Sequence, residues 1–139
     1  MTKRPLLAVC ILLAGYAQAD PQEINLSCVY THGRSSLGKH FELAGGFDAQ
    51  IQLEEDGAVV ILGNNNNPRA VDEPTPSLPD YTQTYIGESS GKEYAVVQHL
   101  NGLRTAFNLN RFNGAFAKQV FAEKSGKLVT SVYGECSKS

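Results

Sequence analysis

The chain has 139 residues, with 12 Lys+Arg against 14 Asp+Glu, three Cys, one Met and no Trp. That length predicts one domain and argues against a two-domain enzyme. A formal charge of −2 provides no basic excess for a nucleic-acid binder built on phosphate neutralisation. With 42% apolar and 19% charged residues, the composition is that of a folded chain.

Residues 1–19 read as a secretory signal peptide. Lys3 and Arg4 make a positive start, Leu6 to Ala14 is a short apolar run, and Ala17-Gln18-Ala19 supplies small residues ahead of a cleavage point before Asp20. The apolar run is too short for a membrane-spanning helix, which needs about 20 residues. Cys10 follows Val9, bulky where a lipoprotein signal has a small residue, so lipidation is not expected. Cleavage removes two cations and no anion, leaving 120 residues at formal charge −4 with two cysteines, Cys28 and Cys136. A cysteine pair in an exported chain predicts a disulfide. Closing a loop of about a hundred residues would stabilise the fold by roughly 4–5 kcal/mol on a loop-entropy basis. A soluble periplasmic or secreted protein with no membrane span is expected.

In the domain formed by residues 20–139, strand signals dominate. Ile24 to Thr31 is rich in β-formers, and Lys39 to Ala44 is expected to make a short helix ending at Gly45-Gly46. Phe47, Ala49, Ile51 and Leu53 alternate with Asp48, Gln50, Gln52 and Glu54, a period of two with one buried face. Asp56-Gly57 reads as a hairpin turn leading into the apolar strand Ala58 to Leu62. Tyr81 to Gly87 and Glu93 to Leu100 pair across a Ser-Ser-Gly tip. Asn101-Gly102 turns the chain into a strand with Leu103, Thr105, Phe107 and Leu109 on one face. After Asn113-Gly114, Ala115 to Lys124 has helix-favouring composition, but it runs from turn to turn at the length of its neighbours and is read as a strand. Leu128 to Tyr133 is the last strand.

About seven or eight strands joined mostly by tight turns predict an all-β antiparallel meander, closed as a small barrel or stacked as a sandwich to hide its edges. A Cys28–Cys136 bond would join the first and last strands, which favours the barrel. A barrel this small fills its interior with side chains. The long Asn/Pro-rich connection at 64–80 carries four prolines and four consecutive asparagines. It is read as a solvated loop able to reach over a barrel mouth or touch a partner.

Two catalytic-looking motifs fail on context. Gly33 to His40 nearly spells a phosphate-binding loop, but it has His40 in place of the hydroxyl residue and no room for the helix that loop requires. It reads as a flexible Gly/Ser loop. Gly87-Glu88-Ser89-Ser90-Gly91 matches the nucleophile-elbow pattern, yet a strand follows it instead of a helix. His32, His40 and His99 lack metal-ligand spacing. No nucleophile with an oriented base is present, so a non-catalytic protein without metal or cofactor is expected. Tyr81 and Tyr85 are candidates for a ligand-facing surface.

Ser90-Gly91-Lys92-Glu93-Tyr94 is similar to the S-G-x-x-Y signature of bacterial periplasmic lysozyme inhibitors. Those are small exported antiparallel barrels that insert this loop into a lysozyme cleft. The resemblance implies a lysozyme-like hydrolase of the envelope or extracellular space as partner. It implies that Ser90 hydrogen-bonds to the catalytic carboxylates and Tyr94 braces the loop, with Ser89 and Gly91 completing the contact. The following Gln98-His99-Leu100-Asn101-Gly102 differs from the aromatic residues and Lys-Gly pair usual in the c-type group. Asn110-Arg111-Phe112-Asn113-Gly114, with Gly134-Glu135-Cys136, resembles the N-R-x-x-G … G-x-C ending of many small exported proteins, which implies a fold and an export route but no activity. The expected function is a protein-binding module, with a small-ligand carrier gated by the 64–80 loop as the alternative.

Overall fold

The structure, a computed structural model, describes residues 22–55, 57–63, 68–71 and 82–139. Residues 1–21, with the expected signal peptide, and Asp56, Tyr81 and most of the 64–80 connection lie outside the described residues. Ten strands and no helix are found among those described: β1 (Glu23–Ser35), β2 (His40–Ala44), β3 (Gly46–Glu54), β4 (Gly57–Gly63), β5 (Arg69–Ala70), β6 (Gln83–Ser89), β7 (Glu93–Leu100), β8 (Leu103–Asn110), β9 (Ala115–Ala122) and β10 (Leu128–Lys138). Eight of them, β1-β3-β4-β6-β7-β8-β9-β10, form a ring of antiparallel neighbours that closes by pairing β10 with β1. The barrel therefore has no free edge along its wall. Cys28 and Cys136 are direct cross-strand partners in the closing pair and form a disulfide across 108 residues of sequence.

Inward positions follow the pleat from strand to strand. Phe47, Ala49 and Ile51 are buried as their alternation requires, and Ile51 and Ala49 stand opposite Val60 and Leu62 of β4. Val60 in turn opposes Tyr85, and Val96 opposes Phe107. The interior is filled by an aromatic cluster. Tyr30 and Phe47 lie 5.2 Å apart between ring centroids, Phe47 and Phe116 5.3 Å, Phe107 and Phe116 5.6 Å, and Tyr85 and Phe107 6.0 Å. Edge-to-face and offset packing of this kind adds to simple area burial. One cation joins the core. Lys118, only 6% exposed, donates from Nζ to the Tyr30 hydroxyl at 3.0 Å, and burial pulls its ammonium down to about 8.

Two local expectations are corrected. The segment expected as a short helix from Lys39 to Ala44 is strand β2, and Gly33 to Ser35, read as flexible loop, belong to β1. The upper half of β1 pairs with β2 through His32↔Glu42 and Arg34↔His40, and with β10 on its other side. A helix there would strip that half-strand of its ladder on the side away from β10, leaving those backbone donors and acceptors unmet. Gly33 is what lets the strands close up, since a Cβ on it would stand 2.6 Å from the Phe41 ring. The 64–80 connection also contributes strand β5, whose Arg69 and Ala70 pair with Ala44 and Leu43. Ala115–Ala122 is strand despite its composition, paired on both sides by β8 and β10, because sheet context outweighs intrinsic preference.

The ends of the barrel differ in what they carry. At one end lie the β3–β4, β6–β7 and β8–β9 turns, the start of β1 and the end of β10. The other holds the β1–β2, β7–β8 and β9–β10 turns, together with the end of β4 and the start of β6.

Candidate functional site

The first end gathers the sequence-predicted partner-binding residues. Ser89 closes β6 and pairs with Tyr94 near the start of β7, so Ser90 to Lys92 form a short turn. The Ser90 hydroxyl accepts the backbone N–H groups of Lys92 (3.2 Å) and Glu93 (3.1 Å), and the Ser90 N–H donates to the Glu93 carbonyl at 2.9 Å. A serine bonding forward to the amides two and three residues on is a self-contained turn device. Ser89, Ser90 and Gly91 are exposed, whereas Tyr94 is 4% exposed with its ring in the core.

A residue distant in sequence completes the tip. Arg111 lies on the β8–β9 turn, its guanidinium 4.7 Å above the Tyr94 ring and donating to the Ser90 carbonyl at 2.5 Å. Its own N–H donates to the Lys92 carbonyl at 2.8 Å. Arg111 thus grips the neighbouring turn from backbone and side chain together, seated on a buried aromatic face. Its turn is held by Asn110, whose side-chain oxygen accepts the N–H groups of Phe112 (2.8 Å) and Asn113 (3.2 Å).

The N-R-x-x-G … G-x-C pattern is therefore one physical unit. Gly114 has φ 77°, and a Cβ on it would stand 2.2 Å from the Cys136 carbonyl oxygen. Without a side chain it accepts the Cys136 N–H at 2.8 Å. Gly134 plays the matching part on β10, where a Cβ would meet the Val29 carbonyl and the Phe116 ring. Asn110 shapes the turn, Arg111 clamps the tip, and the two glycines let the strands beside the disulfide approach.

Two unlike grooves flank the tip. One, of about 380 Å³, is lined by Leu53, Glu54, Glu55, Gly57, Glu88 and Ser89, and is acidic. The other, of about 430 Å³, lies across the barrel mouth. Its apolar side chains are Ile24, Leu26, Tyr94 and Leu109, its cations are Arg111 and Lys138, and Phe112 stands at its edge, 79% exposed.

The remaining candidates are placed as follows. Ser89 sits in a strand–turn–strand, so no nucleophile elbow exists. Tyr85, a candidate for a ligand face, is instead 1% exposed in the core, its hydroxyl donating to Gln83 at 3.0 Å. A side chain on the inward register of β6 is taken up by the barrel filling. His32 and His40 stack at 5.2 Å, with Tyr133 on the other side of His32 at 4.9 Å. His99 lies apart, against Glu123. Among the described residues no group of three or more His, Cys, Asp or Glu could hold a metal ion, and no helix is long and apolar enough to cross a membrane. Arg111 was not singled out as a site residue from the sequence. The signal that could have found it is its place inside the Asn110–Gly114 pattern. No protein-family model, curated protein or solved structure matches the chain.

Proposed function

We propose that the protein is a non-catalytic binding module, exported to the periplasm or secreted, that presents its 88–94 tip to a concave site on another envelope or extracellular protein. The observation carrying this reading is that the tip is held internally. Ser90 ties the turn to itself, and Arg111 fixes it to a buried ring from a second turn. A tip with its shape already set loses little ordering entropy on entering a cleft. The disulfide and the N-terminal leader pattern agree with an oxidising compartment. The S-G-x-x-Y likeness makes a lysozyme-like hydrolase the first partner to test.

The test uses mature, oxidised protein against c-, g- and i-type lysozymes, with Ser90→Asp as the decisive variant. Aspartate keeps an oxygen to accept the Lys92 and Glu93 amides and loses only the long 3.3 Å bond that the Ser90 hydroxyl donates to the Glu93 carbonyl, so the melting temperature should fall little. It removes the hydroxyl donor and adds a negative charge, which should weaken inhibition about tenfold or more where the tip meets carboxylates. Inhibition of none of the three classes would remove the hydrolase as partner. Undiminished inhibition by Ser90→Asp would remove Ser90 from the contact.

A further inference from the structure

We infer that the barrel mouth beside the tip is a binding site for a small amphipathic carboxylate, held with its anionic end at Lys138 and Arg111 and its apolar body on Ile24, Leu26 and Leu109. The strand register builds this mouth. Leu26 is a buried, inward position, Lys138 is its direct cross-strand partner, and Lys138 therefore occupies the inward face at the last turn of the wall. Ile24 is two residues before Leu26 on the same face, and Leu109 opposes Tyr94 from β8. The result is an open groove of about 430 Å³, with an apolar strip at its floor, the polar side chains of Asn110, Asn113 and Ser137 along its wall and the two cations at its border. That lies within the usual range for small-molecule sites, ~300–1,000 Å³.

Charge selects the ligand class. No Asp or Glu lines this groove, although the chain as a whole is acidic at −2. Among the described residues neither Arg111 nor Lys138 meets a carboxylate, and the basic side chain that does is His99, against Glu123 at the opposite end. Arg111 spends part of its fork on the Ser90 carbonyl, and a guanidinium has five N–H donors, so donors remain for a carboxylate. The groove on the other flank of the tip is lined by three glutamates and would repel the same ligand. An uncharged amphiphile would leave both cations of the mouth without a counterion. A purely polar anion would leave the floor uncovered.

The experiment titrates octanoate, hexanoate and 1-octanol into full-length mature protein with its disulfide intact, followed by calorimetry and by NMR shifts. The assignment expects saturable octanoate binding with the largest shifts at Ile24, Leu26, Leu109 and Phe112. Hexanoate should bind roughly fifteenfold more weakly, since it lacks two methylenes and each one buried contributes about fourfold. Replacing the carboxylate by the alcohol should cost about tenfold, and Lys138→Gln should weaken octanoate several-fold while leaving 1-octanol unchanged. Lys138 is exposed, so the variant should fold as the parent does, checked by its melting temperature. The assignment is overturned by 1-octanol binding as well as octanoate, by shifts centred away from the mouth, by no saturation, or by octanoate affinity unmoved in Lys138→Gln. Preference for an acidic peptide over octanoate at the same residues would also overturn it in favour of a protein segment. The site stands independently of the tip's partner, because these readouts use no lysozyme.

Discussion

The two ends of the barrel each tie separate turns together with a charged side chain, but they do so on different physical terms. At the tip end, the Arg111 guanidinium rests on the buried face of Tyr94 and reaches a carbonyl across 21 residues of sequence. At the far end, His99 Nδ1 meets Glu123 Oε2 at 2.5 Å, with side chains 60% and 40% exposed, while the Glu123 N–H donates to the Gly102 carbonyl at 3.0 Å. A charge laid on a buried ring has its position fixed by packing. An imidazole–carboxylate contact open to water gains little, because solvent competes for it and two side chains must be ordered to form it. The tip is thus held on a buried ring, whereas the His99–Glu123 contact only links two turns at an end whose ring contacts, Arg104 over Phe121 at 4.4 Å and His32 stacked on His40 and Tyr133, lie elsewhere.

The largest test of that difference is the disulfide, which belongs to the tip end. Cys28→Ser with Cys136→Ser should cost about 3–5 kcal/mol, read as a large fall in melting temperature. Hydrogen exchange should rise more in residues 24–28 and 134–138 than around the Asn101-Gly102 turn. Equal loss of protection at both ends would break the comparison.

Arg111→Ala comes next, with an expected loss of about 1–2 kcal/mol from the ring contact and the carbonyl bond together. Its diagnostic effect is local. The amides of Lys92 and Glu93 should exchange faster, while those of β3 and β4 stay unchanged. Arg111→Lys should restore the charge without the planar stack and fork, recovering only part of the protection. Full recovery would show that charge alone holds the tip.

How much of this was legible in the sequence depended on whether the signal was local. The Asn101-Gly102 hairpin could be read because both residues must adopt positive φ, and they do at 54° and 77°. The 47–53 alternation could be read because one face had to be buried, and the cysteine pair because the N-terminal pattern led to the expectation of an oxidising compartment. The segment that forms β2 reads as helix because Glu, Leu and Ala favour helix, and only the upper half of β1, whose second side β2 pairs, decides the matter. Lys118 breaks the inside-apolar rule, and its cost is met by a tyrosine 88 positions away. The tip sequence could be noticed in the chain, but the guanidinium that fixes it comes from another hairpin. The pattern around Asn110–Gly114 was visible before its purpose was, since its partners at Ser90, Lys92 and Cys136 meet it only after the barrel closes.

The smallest expected effect lies at the far end, and its smallness is the point. Glu123→Gln removes the charge but keeps the backbone N–H that donates to Gly102, so the two turns remain joined. His99→Ala likewise removes only an exposed ring from the pair. Each change should alter stability by less than about 0.5 kcal/mol, and the coupling from a double-mutant cycle should be no larger. Raising ionic strength should erase what coupling there is, since the pair is open to solvent. The Arg111 contact, covered on one side by Tyr94, should keep most of its effect at the same salt. A His99–Glu123 coupling above about 1 kcal/mol that survives salt would place both ends on the same footing and leave the tip's fixed shape without its structural contrast.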